Sequence, residues 1–396
     1  MNDLAVEDAR ARMLALATAM PSGRVTLEAA FGRVLAETVT AERDQPPFNA
    51  SAMDGWAVAG AGTDFRIVGE SAAGHAHAHR LKAGEAVRIF TGAPVPDGAE
   101  RVVIQEEAEA DGGRLTTPPA DDGAHHIRPA GGDFRKGQTL LERGVRLDAW
   151  RIGLAAAAGR AALSVARAVN VVLVSTGEEI VAPGGSPGPD QIFDSGGPTL
   201  ARLIARWGGA EPVLLRAGDD AAAIARTIAA AGGDLVVTLG GASVGDHDLV
   251  KPALAELGLE LSVETVRMRP GKPTWFGVLG NGRPVLGLPG NPASAMVCAE
   301  LFLRPLLSAL QGADPALPVI AARSAAALAA NGEREAWMRA QLAFGPAGEI
   351  TATPLTDQDS SLITVFAAAD ALLRRPPRAP AVAVGEAVEI LLLRRL

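Results

Sequence analysis

Apolar positions along this chain fall into several distinct rhythms. Near the start, Leu4, Val6, Met13, Leu14 and Leu16 recur at helical spacing within residues 3–20. Thr26 then stands as a capping residue before TLEAAFGRVLAETV, which predicts a second helix. From about Gln45 to Asp133 the period shortens to two, in RIVG, AVRIF and RVVIQ, among many Gly and Pro residues. That texture predicts a β-rich unit with frequent turns. An alanine-rich helix is expected from Trp150 to Arg167.

The pattern then changes. VVLV (171–174), PVLLR (212–216), DLVVTLGG (234–241) and RPVLGLPGNP (283–292) carry continuous apolar runs typical of buried strands. Between them lie the helical patterns PTLARLIARWGG (198–209), DDAAAIARTIAAAGG (219–233) and DLVKPALAELG (248–258), and ASAMVCAELFLRPLLSAL follows. Strands alternating with helices predict a doubly wound α/β domain with a parallel sheet. Ligands bind such sheets at the carboxyl ends of the strands. After Pro315 short alternation returns, from PVIAARSAA to VEILLL, and predicts a small β-barrel or sandwich over 316–396.

Composition narrows the field. A length of 396 residues exceeds one ordinary core, and 48% hydrophobic with 21% charged residues describes a globular chain. A net charge of −8 without a Lys/Arg block argues against nucleic acid as a partner. No apolar run reaches the ~20 residues of a membrane span. The start, MNDLAVEDARARML, lacks the apolar core of a leader, so a cytoplasmic location without membrane contact is expected. The single cysteine, Cys298, rules out a disulfide within the chain and reads as a small buried helix residue. His75, His77 and His79 share a face if extended, but neighbours would lie ~6.6 Å apart along it. A polar edge is a simpler account of them than a metal site.

Candidate chemistry gathers at three glycine-rich turns that follow apolar strands: Ser175-Thr176-Gly177, Gly240-Gly241-Ala242-Ser243-Val244-Gly245, and Leu288-Pro289-Gly290-Asn291-Pro292. Glycine lets backbone N–H groups close on a phosphate, and a following helix adds its positive end. One such turn means little; three at one sheet edge point to a phosphate-rich ligand. Neither GGASVG nor RPGKPT fits a dinucleotide fingerprint or a P-loop. Acids cluster nearby: Glu178, Glu179, Asp194, Asp219, Asp220, Asp246 and Asp248. Capping explains Asp219, Asp220 and Asp246 well, Glu179 and Asp248 less so. Carboxylates beside a phosphate loop repel the ligand unless a cation such as Mg²⁺ lies between. Arg267, Arg269 and Lys272 form the nearest basic group. On residue chemistry alone, Asp54 in PPFNASAMDGWA and Thr91 in RIFTGAPVPDG are simply polar groups on exposed loops.

Taken in order, PPFNASAMDGWA, RIFTGAPVPDGAERVV, RPAGGDFRKG, VLVSTGEEI with QIFDS, VVTLGGASVGDHD, RMRPGKPTWFG and GLPGNPASA resemble the molybdopterin molybdenumtransferases. This MoeA family includes the E domain of gephyrin, and the resemblance spans nearly the whole chain. It implies a helical and extended dimerisation domain from residues 1–42 and 134–168, with a β-rich lobe inserted at 43–133. It further implies an α/β molybdopterin-binding domain at 169–315 and a C-terminal β-barrel at 316–396. The implied protein is a homodimer whose active site lies between the α/β domain of one subunit and the lobe of the other. The implied reaction takes adenylylated molybdopterin, molybdate and Mg²⁺, and releases AMP. The resemblance places catalytic roles on Asp54, Thr91, Glu179, Asp219 and Asp248, with Glu179 and Asp248 toward Mg²⁺. Ser175, Thr176, Gly177, Gly240, Gly241, Ser243, Arg269, Lys272, Pro289, Gly290, Asn291, Pro292 and Ser294 would hold the pterin, phosphate or molybdate. A molybdopterin adenylyltransferase is the expected supplier of substrate. Departures are MDGWA for MDGYA, which loses a phenol at Trp56; STGEE for STGDE; DSG for DSN at Asp194-Ser195-Gly196; and Arg269 for a common lysine. Two rival readings remain. The α/β domain alone resembles the adenylyltransferase, which the extra lobe and barrel disfavour. A gephyrin-like scaffold would have no need of Asp54, Glu179 and Asp248.

Overall fold

The computed structural model describes residues 3–120, 125–218, 220–241 and 249–394. At its centre is a six-stranded sheet. In spatial order its strands are Val213–Ala217, Val171–Thr176, Leu235–Leu239, Pro284–Leu288, Trp275–Val278 and Glu260–Val263. The first four are parallel; Trp275–Val278 runs against both of its neighbours, Pro284–Leu288 and Glu260–Val263. Side chains alternate across a strand, and the core divides accordingly. Val172, Val174, Val236 and Val285 pack against helices Ala221–Ala230 and Val250–Ala255. Val171, Leu173, Leu235, Val237, Leu286 and Leu288 face the other way, toward helix Gly196–Arg206 and the helical stretch Pro292–Leu310. Each fully buried aliphatic side chain contributes about 1.5–3 kcal/mol, so both faces are firmly covered. The sheet is therefore doubly wound.

The stretch Pro292–Leu310 has 19 residues, and by length and composition it could cross a membrane. It is 83% buried within the protein, so it is a core helix. Its middle turn, Ala299–Leu303, is widened and ends two residues before Pro305, whose missing N–H interrupts the regular ladder. Cys298 lies here, fully buried, and burial pushes its thiol up to about 12.

Five strands near the C-terminus, Val319–Ser324, Glu335–Phe344, Ile350–Pro354, Ala371–Arg375 and Ala387–Leu392, close into a barrel. The barrel is locked to the α/β domain because Met268–Arg269 pairs with Glu335 and Ala336. Another six-stranded sheet, in spatial order Arg101–Ile104, Gly55–Val58, Glu85–Ile89, Asp64–Ser71, Arg114–Thr116 and Glu109–Asp111, forms the β-rich lobe. On either side of the lobe in sequence, two distant stretches share one small core of Ala30, Leu35, Val39, Leu141, Leu147 and Leu163.

Two sequence expectations fail in this last region. The helix expected after Thr26 is a single turn, Leu27–Ala30, although Thr26 caps it through the Ala29 N–H. Gly32 turns the chain at φ +76°, and Val34 and Leu35 then bridge to Arg146 and Val165. The helix expected over 150–167 spans only Ala149–Ala157; after Gly159 (φ +89°) the chain becomes the strand Ala162–Ala166, paired with Ser22–Thr26. Alanine runs lack a hydrophobic period, so tertiary pairing decided these segments. The first helix is Val6–Ala15, and its buried Val6, Ala9 and Met13 join the core of the α/β domain.

Candidate active site

The first strand of the α/β domain, Val171–Thr176, has the second strand on one side and the third on the other. Winding therefore reverses between Val171–Thr176 and Leu235–Leu239, which opens a crevice at their carboxyl ends. The described parts of the three glycine turns, Ser175-Thr176-Gly177, Gly240-Gly241 and Leu288-Pro289-Gly290-Asn291-Pro292, meet there. The Gly240 N–H donates to the Leu288 carbonyl at 3.2 Å, and the Thr176 hydroxyl points to the Leu239 carbonyl at 3.5 Å. A Cβ on Gly240, whose φ is +92°, would stand 2.9 Å from Thr176 Oγ1; one on Gly290 would stand 3.5 Å from the Gly240 Cα. Glycine is needed at 240 for both conformation and space.

A cavity of about 860 Å³ lies over these turns, a size suited to a small-molecule ligand. Its floor is Ser175, Thr176, Gly177, Gly240 and Gly241. Pro289, Gly290, Asn291, Pro292 and Ser294 form one wall, the last of these 4% exposed on the first turn of the long helix. Arg269 and Lys272 line another side. Lys272 Nζ is 3.2 Å from Asp3 Oδ2. The Thr265 hydroxyl first, and Lys272 after it, hold the Asp3 carboxyl below its usual range. Arg267 is not among the lining residues; alternation along 266–269 buries Val266 and Met268 and exposes Arg267 and Arg269.

Among the described residues two carboxylates line the cavity, in different states. Asp194 is buried; it accepts the Gly197 N–H at 2.8 Å and the Ser175 hydroxyl at 3.3 Å, and lies 3.6 Å from Arg216. It ties the first strand to the start of helix Gly196–Arg206 and is a structural post. Glu179 is exposed and lies over Gly177, where an added Cβ would overlap its carboxylate. Asp220 is a cap, accepting from Ala222 and Ala223 at 3.1 and 3.2 Å. Asp219, Ser243 and Asp248 lie outside the described residues.

Asp54 and Thr91 are brought together in the lobe, not among the residues lining the cavity. Asp54 Oδ1 accepts the Thr91 N–H at 2.7 Å and the Thr91 hydroxyl at 2.8 Å. These two bonds, N–H first, with the Arg88 charge a lesser cause, hold the Asp54 carboxyl below its ordinary value. The Arg88 guanidinium lies over Trp56 and Phe90, 5.3 and 4.9 Å from their centroids, and donates to the Gly55 carbonyl. His77 and His79 meet edge to face, with ring centroids 5.9 Å apart.

Sequence reasoning did not single out Arg334, Ser360 and Ser361, which the barrel adds to the cavity wall. Asn291 Nδ2 donates to Ser360 Oγ at 2.9 Å, and the Ala293 N–H to the Ser360 carbonyl at 3.1 Å. Behind this loop Arg339, 1% exposed, donates to the Asp359 carbonyl at 2.8 Å. The turn-forming string TDQDSS was the available signal, but nothing local says which neighbour that turn will meet.

Fold and cavity together define a doubly wound α/β domain with a cavity of small-molecule size at its strand ends, flanked by a β-lobe and a barrel. Comparison with known proteins makes this specific. Residues 4–159 match the MoeA N-terminal region (domain I and II), 172–309 a probable molybdopterin binding domain, and 321–393 the MoeA C-terminal region (domain IV). The chain is 37% identical over 333 residues to a molybdopterin molybdenumtransferase of Nostoc sp., covering 79% of this chain and 76% of that one. It is 34% identical over 383 residues to molybdopterin molybdenumtransferase 2 of Mycobacterium tuberculosis, covering 92% and 94%. The molybdopterin biosynthesis MoeA protein of Pyrococcus horikosii superposes over 100% of both chains, with a TM-score of 0.82 at 31% identity. The chain belongs to the molybdopterin molybdenumtransferase (MoeA) family, and is thus a transferase of molybdenum cofactor biosynthesis.

Proposed function

We propose that this transferase inserts molybdenum from molybdate into adenylylated molybdopterin, with Mg²⁺, and releases AMP. The observation that carries the reading is the meeting, among the described residues, of glycine turns beside the exposed carboxylate of Glu179 and the cations Arg269, Lys272 and Arg334 in a single cavity. The backbone N–H groups of the turns bind phosphate oxygens. Arg269 and Lys272 hold the incoming oxyanion, and Ser294 orients it. Glu179 suits Mg²⁺, which is usually held by one or two carboxylates together with substrate phosphates and water; Asp194 is already engaged. Asp248 is its proposed partner. When bound, the ion neutralises charge on the phosphoanhydride. In the proposed homodimer, Asp54 and Thr91 of one subunit complete the site of the other. A cytoplasmic setting and supply of substrate by a molybdopterin adenylyltransferase go with this reading.

The test supplies purified protein with adenylylated molybdopterin, molybdate and Mg²⁺ and measures AMP. Release is expected, strongly reduced by Glu179→Gln, Asp248→Asn or Asp54→Asn. Mixing Asp54→Asn with Glu179→Gln subunits should restore part of the rate, because each mixed dimer then holds one intact site. No restoration overturns the intersubunit arrangement. No release by the unaltered protein overturns the reaction; pyrophosphate from ATP and molybdopterin would instead mark an adenylyltransferase.

A further inference from the structure

The cavity wall contains an apolar patch that phosphate binding does not explain. The short ribbon Ile180–Val181 paired with Ile192–Phe193 stands beside the Gly177 turn. It is well braced: the Ile192 N–H donates to the Glu179 carbonyl, the Asp194 N–H to the Val181 carbonyl, both at 2.8 Å, and Gln191 Nε2 to the Glu178 carbonyl at 2.9 Å. Asp194 is drawn inward to Ser175 and Gly197. Side chains alternate along an extended segment, so its neighbour Phe193 points away from Asp194 and is 49% exposed; Ile192 is 61% exposed. Phe193 supplies the only aromatic ring in the lining of this cavity among the described residues. In a chain with only 4% aromatic residues and no tyrosine, an exposed phenyl ring held at the rim of a polar cavity calls for a flat partner.

We propose that Phe193 is the stacking platform for the planar heteroaromatic ring of the ligand whose phosphates sit on the glycine turns. This deepens the proposed function and rests on it: adenylylated molybdopterin carries two such rings, adenine and pterin, and either presents a π-face to a phenyl ring. Base stacking on an aromatic side chain strengthens binding by about ten- to a hundred-fold and tolerates different ring systems.

Calorimetry on the full-length protein with AMP, ribose 5-phosphate and a free pterin tests this. Phe193→Ala should weaken AMP or the pterin by about ten-fold or more, leaving ribose 5-phosphate unchanged. Which of the two weakens identifies the ring. Phe193→Leu should behave like the alanine variant and Phe193→Trp like the unaltered protein, because area without a π-face does not suffice. Equal binding of both ring ligands by Phe193→Ala and the unaltered protein overturns the platform alone. If the unaltered protein binds none of the three probes, the underlying reading falls as well. Loss of the dimer in Phe193→Ala, read by sedimentation, would show the ring to be an interface residue and also overturn the proposal.

Discussion

Gly241→Ala probes the phosphate turn most sharply. Gly241 has φ +60°, where an L-residue costs about 1–2 kcal/mol. Its new Cβ would lie 3.1 Å from Val250 Cβ, overlap Val250 Cγ2 and approach Thr176 Oγ1 at 3.4 Å. Val250 is 1% exposed and β-branched, so it has no free rotamer into which to withdraw. Overpacking of this kind adds about 1–3 kcal/mol, giving a total of about 2–5 kcal/mol. Val250→Ala alone leaves a cavity and costs on the order of 2 kcal/mol. Combined, the two changes should cost less than their sum by the overlap, about 1–3 kcal/mol, because the clash disappears. Urea midpoints at unchanged slope report these differences. AMP affinity measured on the same proteins should fall in Gly241→Ala and recover partly in the double variant. A Gly241→Ala cost below about 0.5 kcal/mol, or strict additivity of the pair, would refute the close packing of this turn on the helix.

Asp194→Ala should destabilise the protein by about 1–3 kcal/mol, because the Gly197 N–H and Ser175 hydroxyl lose a buried acceptor. Asp194→Asn, which keeps an acceptor oxygen, should cost less; if both variants melt with the unaltered protein, Asp194 is not the post described here. Thr91→Val removes the hydroxyl bond to Asp54 but keeps the stronger backbone one. NMR titration should therefore find the Asp54 carboxyl raised part of the way back toward 3.8, and an unmoved value would discount the hydroxyl. The sign follows from the lowered value: what ionised Asp54 adds to stability is present above pH 3.8 and fades as pH falls through its folded value. Thr91→Val has less to lose in that acid window.

How much of this molecule the sequence determines depends on how far a contact reaches. Strands such as Val171–Thr176 and Leu235–Leu239 are legible because both faces are buried, and burial on both faces writes a continuous apolar run. Their glycine turns are legible because backbone shape at Gly240 and Gly241 forbids a side chain, a purely local demand. Long ordered motifs such as GLPGNPASA carried the family resemblance. Segments 26–39 and 150–167 are only partly helical despite their local pattern, because the partners that decide them are remote in sequence, as in the pairing of Ser22–Thr26 with Ala162–Ala166.

What only the tertiary structure decided is which remote groups meet. Strand order placed the crevice between Val171–Thr176 and Leu235–Leu239. Closure of the barrel carried Ser360, Ser361 and Arg334 to a cavity built by another domain. Alternation sent Phe193 to its rim once Asp194 turned inward, and Arg269 once Val266 and Met268 were buried. Periodicity and propensity are properties of neighbouring residues, whereas a binding site is a coincidence of chain ends in space, and only packing of the whole chain brings those ends together.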